Sequence, residues 1–284
     1  MMVMDQQTLP IVVLYGQKLE QSQTMQSLQQ NLSSGQQQMD IFVYDNSPVA
    51  QHPKEQFQWN NFRVFYCHDA SNSGLSKAYN EGAKMAARLG KDWLLLLDQD
   101  TSFPENVLER YEQAMAAHPA AKLFAPILKL HNGAIFSPSV VRHKRGYPPA
   151  RLSPGIYSLY KYSPVNSGVL ISLALFDKAG GYNERVKVDF CDFQFMERVR
   201  KVSPNIVVID ATAGQDFSND EPSIEKQQRR FKIYLADAQN CYKPKIADKA
   251  GFFYTVTRHA FGLTYKMRSF SFLKMYFRYF LFSR

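Results

Sequence analysis

The chain has 284 residues, 45% of them apolar, and a formal net charge of +9. That length suits one large α/β domain with or without a terminal extension, and that apolar share excludes disorder over most of the chain. Three cysteines, Cys67, Cys191 and Cys241, lack metal-type spacing; this excludes a disulfide framework and a zinc site and points to a reducing compartment.

Residues 1–10 lack the charged start and apolar run of a signal peptide, and no apolar run reaches the ~18 residues needed to span a bilayer. Residues 11–15 form a β-branched run and predict a first strand, followed by a polar helix over 21–31. A second strand at 41–44 is stopped by Asp45-Asn46-Ser47-Pro48, a strong turn signal. A strand at 62–66, a helix at 76–89 and a strand at 93–97 follow, the last a continuous apolar run as in a strand buried on both faces. The second half reads as a helix at 105–118, a strand at 122–126, a loop over 131–159 and a strand at 165–172. A short helix at 173–180, a helix at 190–202, a strand at 206–210 and a long polar helix at 223–238 complete that half. After Asp248 no acidic residue occurs, while Lys249, Arg258, Lys266, Arg268, Lys274, Arg278 and Arg284 follow among Phe270, Phe272, Phe277, Phe280 and Phe282. This stretch predicts a basic, aromatic helical extension over 249–284, beside a main domain over 1–248. It is read either as a face packed on the domain or as contact with an anionic membrane surface.

Strands alternating with helices predict an α/β fold with a Rossmann-like, mostly parallel sheet flanked by helices. Ligands bind beyond the carboxyl ends of such strands, which puts Asp45 and Asp98 on the ligand side. Asp98-Gln99-Asp100 sets two carboxylates one residue apart at the end of a buried strand. That pattern suits a divalent cation completed by substrate phosphates, which neutralises a diphosphate leaving group. Asp45 is open to two readings: an Asx-turn that ends its strand, or an acceptor for a nucleobase N–H. In the stretch from Asn72 to Gly82, Gly74 permits close backbone approach and Ser76 is a candidate N-cap. The helix start offers N–H groups to phosphate or is simply a capped surface helix. Asp189 and Asp192 at the start of the 190–202 helix are either placed there by the helix dipole or serve as a general base for an acceptor hydroxyl.

Taken in order, Asp45-Asn46-Ser47, Asn72-x-Gly74 to Asn80-x-Gly82, Asp98-x-Asp100, Asn166-Ser167-Gly168 and Asp189 to Arg198 resemble the family 2 glycosyltransferases of the GT-A fold, over about residues 11–218. The pattern is most similar to the branch of rhamnosyl and related transferases that build bacterial O-antigen and capsule. The resemblance implies an inverting transfer from a nucleotide sugar, a UDP-hexose or dTDP-rhamnose, to a lipid-linked oligosaccharide acceptor. It also implies a cytoplasmic, peripheral site at the inner leaflet and no nucleic-acid partner. Asp192 would be the catalytic base, with Asp189 as runner-up. Asp45 would bind the nucleobase and Asp98 the ribose or donor sugar, with Tyr15, Asn72, Gly74, Lys77, Asn80, Gln99, Ser167 and Gly168 completing the pocket. Asp100 would hold Mg²⁺ or Mn²⁺, helped by Asp98. The pattern departs where many relatives carry a metal-binding His: Gln215 stands there, followed by Asp216, so either Asp216 substitutes or the metal is held more loosely. A Gln stands at 194 where relatives often have Glu. Two other classes are weighed against transfer. A sugar-nucleotide nucleotidyltransferase needs a Gly-rich basic loop after the first strand, which Gly16-Gln17-Lys18 matches poorly. A non-catalytic nucleotide-sugar-binding protein would carry a decayed site.

Overall fold

A computed structural model describes residues 3–32, 38–142, 145–215 and 223–281. In chain order the first half comprises α1 (Val3–Gln7), β1 (Thr8–Leu14), α2 (Gln23–Leu32), β2 (Met39–Asp45), β3 (Gln56–Trp59), β4 (Phe62–His68), α3 (Leu75–Arg88), β5 (Trp93–Asp98) and β6 (Thr101–Ser102). Next come α4 (Val107–Ala117), β7 (Leu123–Lys129), β8 (Ile135–Ser137), β9 (Ser139–Arg142), β10 (Arg145–Tyr147), β11 (Gly155–Ser158), β12 (Tyr162–Ser163) and β13 (Val169–Ser172). The last part holds α5 (Leu173–Lys178), α6 (Cys191–Val202), β14 (Asn205–Gln215), α7 (Ile224–Asn240), α8 (Ile246–Lys266) and α9 (Ser271–Tyr276).

The main sheet runs β11-β14-β7-β13-β5-β1-β2-β4-β3, with β6 on β14 and β8 on β7. β1 pairs in parallel with β2 and β5, β2 with β4, and β7 with β14. β13 enters antiparallel between β5 and β7, so the sheet is mixed, with its parallel part at the centre and on the β4 side. β5 shows why the centre forms there. Leu94 and Leu96 face one core cluster and Leu95 and Leu97 the other, all at most 1% exposed. A strand covered on both faces gains no benefit from polar alternation, hence the unbroken apolar run. Burying each of these leucines contributes about 1.5–3 kcal/mol.

Two expectations change. The stretch 131–159 is not a loop: it supplies β8 to β11, and β9, β10 and β12 form a separate three-stranded antiparallel sheet. Strands of two to four residues offer too few positions for a two-residue period to show, and the prolines among them read as loop. The expected boundary at 248/249 falls inside α8, whose Phe252, Val256 and Ala260 join Phe190, Val199 and Phe231 in one buried cluster with Phe272 and Tyr276. These residues of the basic extension are thus packed onto the main core.

Candidate active site

The turn after β5 is held from below by the start of α2. Thr24 donates its hydroxyl to the Asp98 carbonyl (2.5 Å) and accepts the Thr101 N–H (3.0 Å), while Ser22 donates to the Gln99 carbonyl (2.8 Å). The Gln99 side chain turns back to the end of β1, accepting the Tyr15 N–H at 2.7 Å. These bonds fix the backbone that carries Asp98 and Asp100.

A hydrogen-bond chain then joins the two carboxylate positions through the other half of the sheet. The Asp98 N–H donates to Ser167 Oγ (3.3 Å), which lies 2.6 Å from Thr101 Oγ1. Thr101 donates to Gln215 Oε1 (2.6 Å), and Gln215 Nε2 donates to Asp100 Oδ1 (2.7 Å). Tyr79, from the middle of α3, donates its hydroxyl to Asp98 Oδ1 at 2.9 Å. Asp98 and Asp192 are both partly exposed. Desolvation lifts the Asp98 carboxyl to about 7, helped by the charges of Asp100 and Asp192 and opposed by the Tyr79 bond. Asp192 is raised likewise to about 7, by desolvation first and by Asp189, against the N–H of Phe193. Carboxylates from β5 and from the first turn of α6 therefore share one electrostatic environment, and both are poised to exchange protons near neutrality.

The segment 186–190 brings Asp192 there. Asp237 of α7, 1% exposed, accepts three successive backbone amides: Lys187 on Oδ1 (2.8 Å), and Val188 and Asp189 on Oδ2 (2.9 Å each). Phe190 then takes a left-handed backbone, φ 66°, and α6 starts at Cys191. Asp189, the expected runner-up base, is held by a bidentate Arg230 fork, with Arg230 Nη2 at 2.8 Å from Oδ1. Both carboxylate oxygens are engaged by that fork, as in bidentate arginine–carboxylate pairs generally. The geometry favours Asp192 over Asp189 for the base.

The start of α3 behaves differently from the expectation of a phosphate cradle. The Lys187 carbonyl accepts the N–H groups of Leu75 (2.8 Å) and Ser76 (3.3 Å), and Ser76 donates its hydroxyl to the Val186 carbonyl (2.5 Å). Ser76 is thus a buried tie in the first turn and not the cap, and those two amides are spent inside the protein. Gly74 precedes them with φ 94°, and a Cβ there would sit 2.5 Å from the Lys187 oxygen. Gly74→Ala is expected to cost about 2–3 kcal/mol, read as a lower urea midpoint with an unchanged slope; an unaltered midpoint would show that the segment yields freely.

Asp45 is fully buried. Its Oδ1 accepts the Ser47 N–H (2.9 Å), and its Oδ2 accepts the Gln51 N–H (3.0 Å) and the Tyr66 hydroxyl (2.5 Å). The Asx-turn reading describes these bonds. Asn80, expected in the pocket, instead ties α3 to the 182–184 loop. It donates to the Tyr182 carbonyl and Glu184 Oε1 and accepts the Tyr182 N–H. Gly168 is also structural: its φ is 80°, a Cβ would meet Pro126 at 2.7 Å, and its carbonyl accepts the Tyr111 hydroxyl. Lys77 and Asn72 are half-buried, and Tyr15, just past the end of β1, is exposed. Asp216 lies outside the described residues. Sequence reasoning did not single out Thr24, Tyr79, Thr101, Arg230 or Asp237. Only Tyr79 sat inside a quoted motif. A cleft of about 740 Å³, lined by Lys129, Arg151, Tyr157, Asp210 and Thr212 among others, opens along β7 and β14 and includes none of Asp98, Asp100 or Asp192.

Among the described residues no group of three or more His, Cys, Asp or Glu could hold a metal ion. The donor chemistry nonetheless fits a hard cation of the kind that takes one or two carboxylates and completes its shell with phosphates and water. Asp100 and Asp98 would supply those carboxylates, and a cation there would offset the Asp100 charge that raises the Asp98 carboxyl. Gln215 turns its N–H toward Asp100, so it orients that carboxylate and does not itself offer an oxygen to the ion.

Residues 11–140 match the family model described as Glycosyl transferase family 2. The fold is GT-A. The activity class that goes with this match is glycosyl transfer. Among solved structures, residues 1–349 of S. aureus TarS share 16% identity over 96% of this chain and 72% of that one, with a TM-score of 0.53. The same TarS segment in complex with UDP matches at 16% identity over 89% and 71%, TM-score 0.53. GalNAc-T7 with UDP, GalNAc and Mn²⁺ matches at 13% identity over 80% of this chain and 46% of that one, TM-score 0.56. At these identities the likeness is one of fold. No curated protein matches the sequence.

Proposed function

We propose that the chain transfers a sugar, with inversion, from a nucleoside-diphosphate donor to a hydroxyl of a lipid-linked glycan. The observation that carries this is the grouping of Asp98, Asp100 and Asp192 in one electrostatic environment, two from the ligand edge of β5 and one with a carboxyl near 7. In this reading Asp192 accepts the proton of the acceptor hydroxyl as its oxygen attacks the anomeric carbon from the face opposite the diphosphate. A single displacement of this kind inverts the centre through an oxocarbenium-like transition state. Tyr79 holds Asp98, and Gln215 holds Asp100, in the orientation that receives the donor. Mg²⁺ or Mn²⁺ held at Asp100, with Asp98 beside it, would stabilise the charge that builds on the leaving diphosphate.

Two solved structures of this fold hold UDP, which supports a UDP-hexose donor, while the branch that the residue pattern resembles supports dTDP-rhamnose. That same branch supports a place in the synthesis of a bacterial surface glycan, O-antigen or capsule. The basic and aromatic C-terminal helices support an acceptor met at the inner leaflet. No helix among the described residues is long and apolar enough to cross a membrane.

Thermal unfolding with a panel of UDP-glucose, UDP-galactose, UDP-N-acetylglucosamine and dTDP-rhamnose, with and without Mn²⁺, tests the donor. A ligand present at one hundred times its Kd stabilises by about 2.7 kcal/mol, so one or two members should raise Tm clearly and more so with the ion. No rise with any member under either condition would remove the nucleotide-sugar reading. A rise without transfer or hydrolysis of the labelled sugar would leave a binding protein.

A further inference from the structure

The face of α8 turned away from the protein carries large apolar side chains in the open. Ile246 is 85% exposed, Tyr254 62%, Phe261 54% and Tyr265 89%. At 3.6 residues per turn these four fall within an arc of about 100°. Phe252, Thr255, Val256 and Ala260, all buried, occupy the opposite side and seat the helix on the core. A helix that is apolar on both faces has two partners, and only one of them is the protein.

The charges beside this arc say what the second partner is. Exposed Arg258 borders the arc beside Tyr265, exposed Lys249 lies about 60° from Ile246 in the first turn, and Asp248 falls on the far side of the helix. No acidic residue follows Asp248, whereas Lys266, Arg268, Lys274 and Arg278 do. A second copy of the chain docked face to face would set these cations against their own kind. An anionic bilayer surface instead takes cations at the headgroups and phenyl and phenol rings at the acyl boundary. The helix is 21 residues long, roughly 30 Å, enough to lie along the interface.

We propose that the exposed face of α8 is a membrane-docking surface: Ile246, Tyr254, Phe261 and Tyr265 enter the interface of an anionic lipid bilayer while Arg258, with Lys249 at the start of the helix, meets its headgroups. The lipid-linked acceptor of the proposed function gives this surface its purpose, but the surface stands on its own geometry. α8 also reaches the candidate site: Phe252 packs on Phe190, two residues before Asp192, with ring centroids 5.1 Å apart. Docking therefore fixes the position of the candidate base relative to the membrane plane.

The test uses the full chain and vesicles of phosphatidylcholine with about 30 mol% phosphatidylglycerol, against pure phosphatidylcholine. The parent protein should co-sediment with the anionic vesicles and lose that binding as salt rises. Two variants probe the face: Tyr254→Ser with Phe261→Ser and Tyr265→Ser, and Lys249→Glu with Arg258→Glu. Each should weaken binding to anionic vesicles by about tenfold or more, with an unchanged Tm because the altered side chains are exposed. Parental vesicle binding by the triple variant overturns the proposal. So does a parent that ignores vesicles and runs as a dimer by light scattering, with the triple variant monomeric, since a second copy would then own the face. Nucleotide-sugar protection, measured on the same samples without lipid, separates the two ideas: its loss would strike the donor reading and leave the surface intact, and the converse holds.

Discussion

Asp192→Asn is expected to lower kcat by about 10²–10⁴-fold, the range that a positioned general base contributes, with the chain still folded and donor protection retained. Asparagine keeps the shape and can still accept the Phe193 N–H that bonds Asp192 Oδ1 at 2.7 Å, but it cannot take a proton. The pH dependence supplies a second reading. The active form of the base is ionised, and burial holds its carboxyl at about 7, so the parental rate should rise from pH 5 and level off above pH 8. Stability runs the other way. A carboxyl raised above its unfolded value stabilises the fold fully below the unfolded carboxylate range, and that stability is lost as pH rises through about 7. The Asn variant lacks this penalty, so at pH 8 it should melt higher than the parent while turning over far more slowly. Near-parental turnover in the variant would take the base away from Asp192.

Asp237→Asn should damage both stability and catalysis, although Asp237 lies in a helix beyond the matched family segment. Its two oxygens receive the amides of Lys187, Val188 and Asp189. Asparagine has one oxygen and one NH₂, so in either orientation at least one buried N–H meets another N–H. Bonds to a charged acceptor are worth about 1.5–3 kcal/mol each, and a stranded buried donor costs a further 1–3 kcal/mol. A loss of about 3 kcal/mol in a urea titration is the expected result. Because the segment leads through Phe190 into α6, kcat should fall well beyond any change in KM for the donor. Activity restored at low temperature, where the folded population recovers, would show that the carboxylate serves stability alone. A persistent kcat defect in fully folded protein marks it as a positioning residue for Asp192.

What could be read in the sequence follows from which groups make the contacts. The run 93–97 announced a strand covered on both sides because every position is apolar, and Leu94 to Leu97 are buried as that run requires. Asp98 and Asp192, 94 residues apart in the numbering, could be paired on paper only by their place in an ordered series of motifs. Each lies at the end of an element on the ligand edge, and the folded chain brings them within electrostatic reach. Asp237 left no such trace, since its partners are backbone amides and any residue types could stand at 187–189. Asp45 shows the reverse difficulty. A carboxylate at a strand end looks the same on paper whether it faces a ligand or is enclosed by Ser47, Gln51 and Tyr66. The relay through Ser167, Thr101 and Gln215 joins three distant segments by short hydroxyl and amide side chains, which carry no periodic signature.

Phe252 sits under the Lys243 ammonium, 4.5 Å from its ring centroid, and against Phe190, the residue whose left-handed backbone launches α6. A protein ending at residue 248 would uncover Phe190, Phe231 and Tyr234 together and leave a greasy hollow behind the segment that Asp237 grips. Trimming the polypeptide to its family-like portion would therefore yield an aggregating, disarmed fragment. Single substitutions on the outward side of α8 can separate what the last helices do for the interior from what they do at the surface.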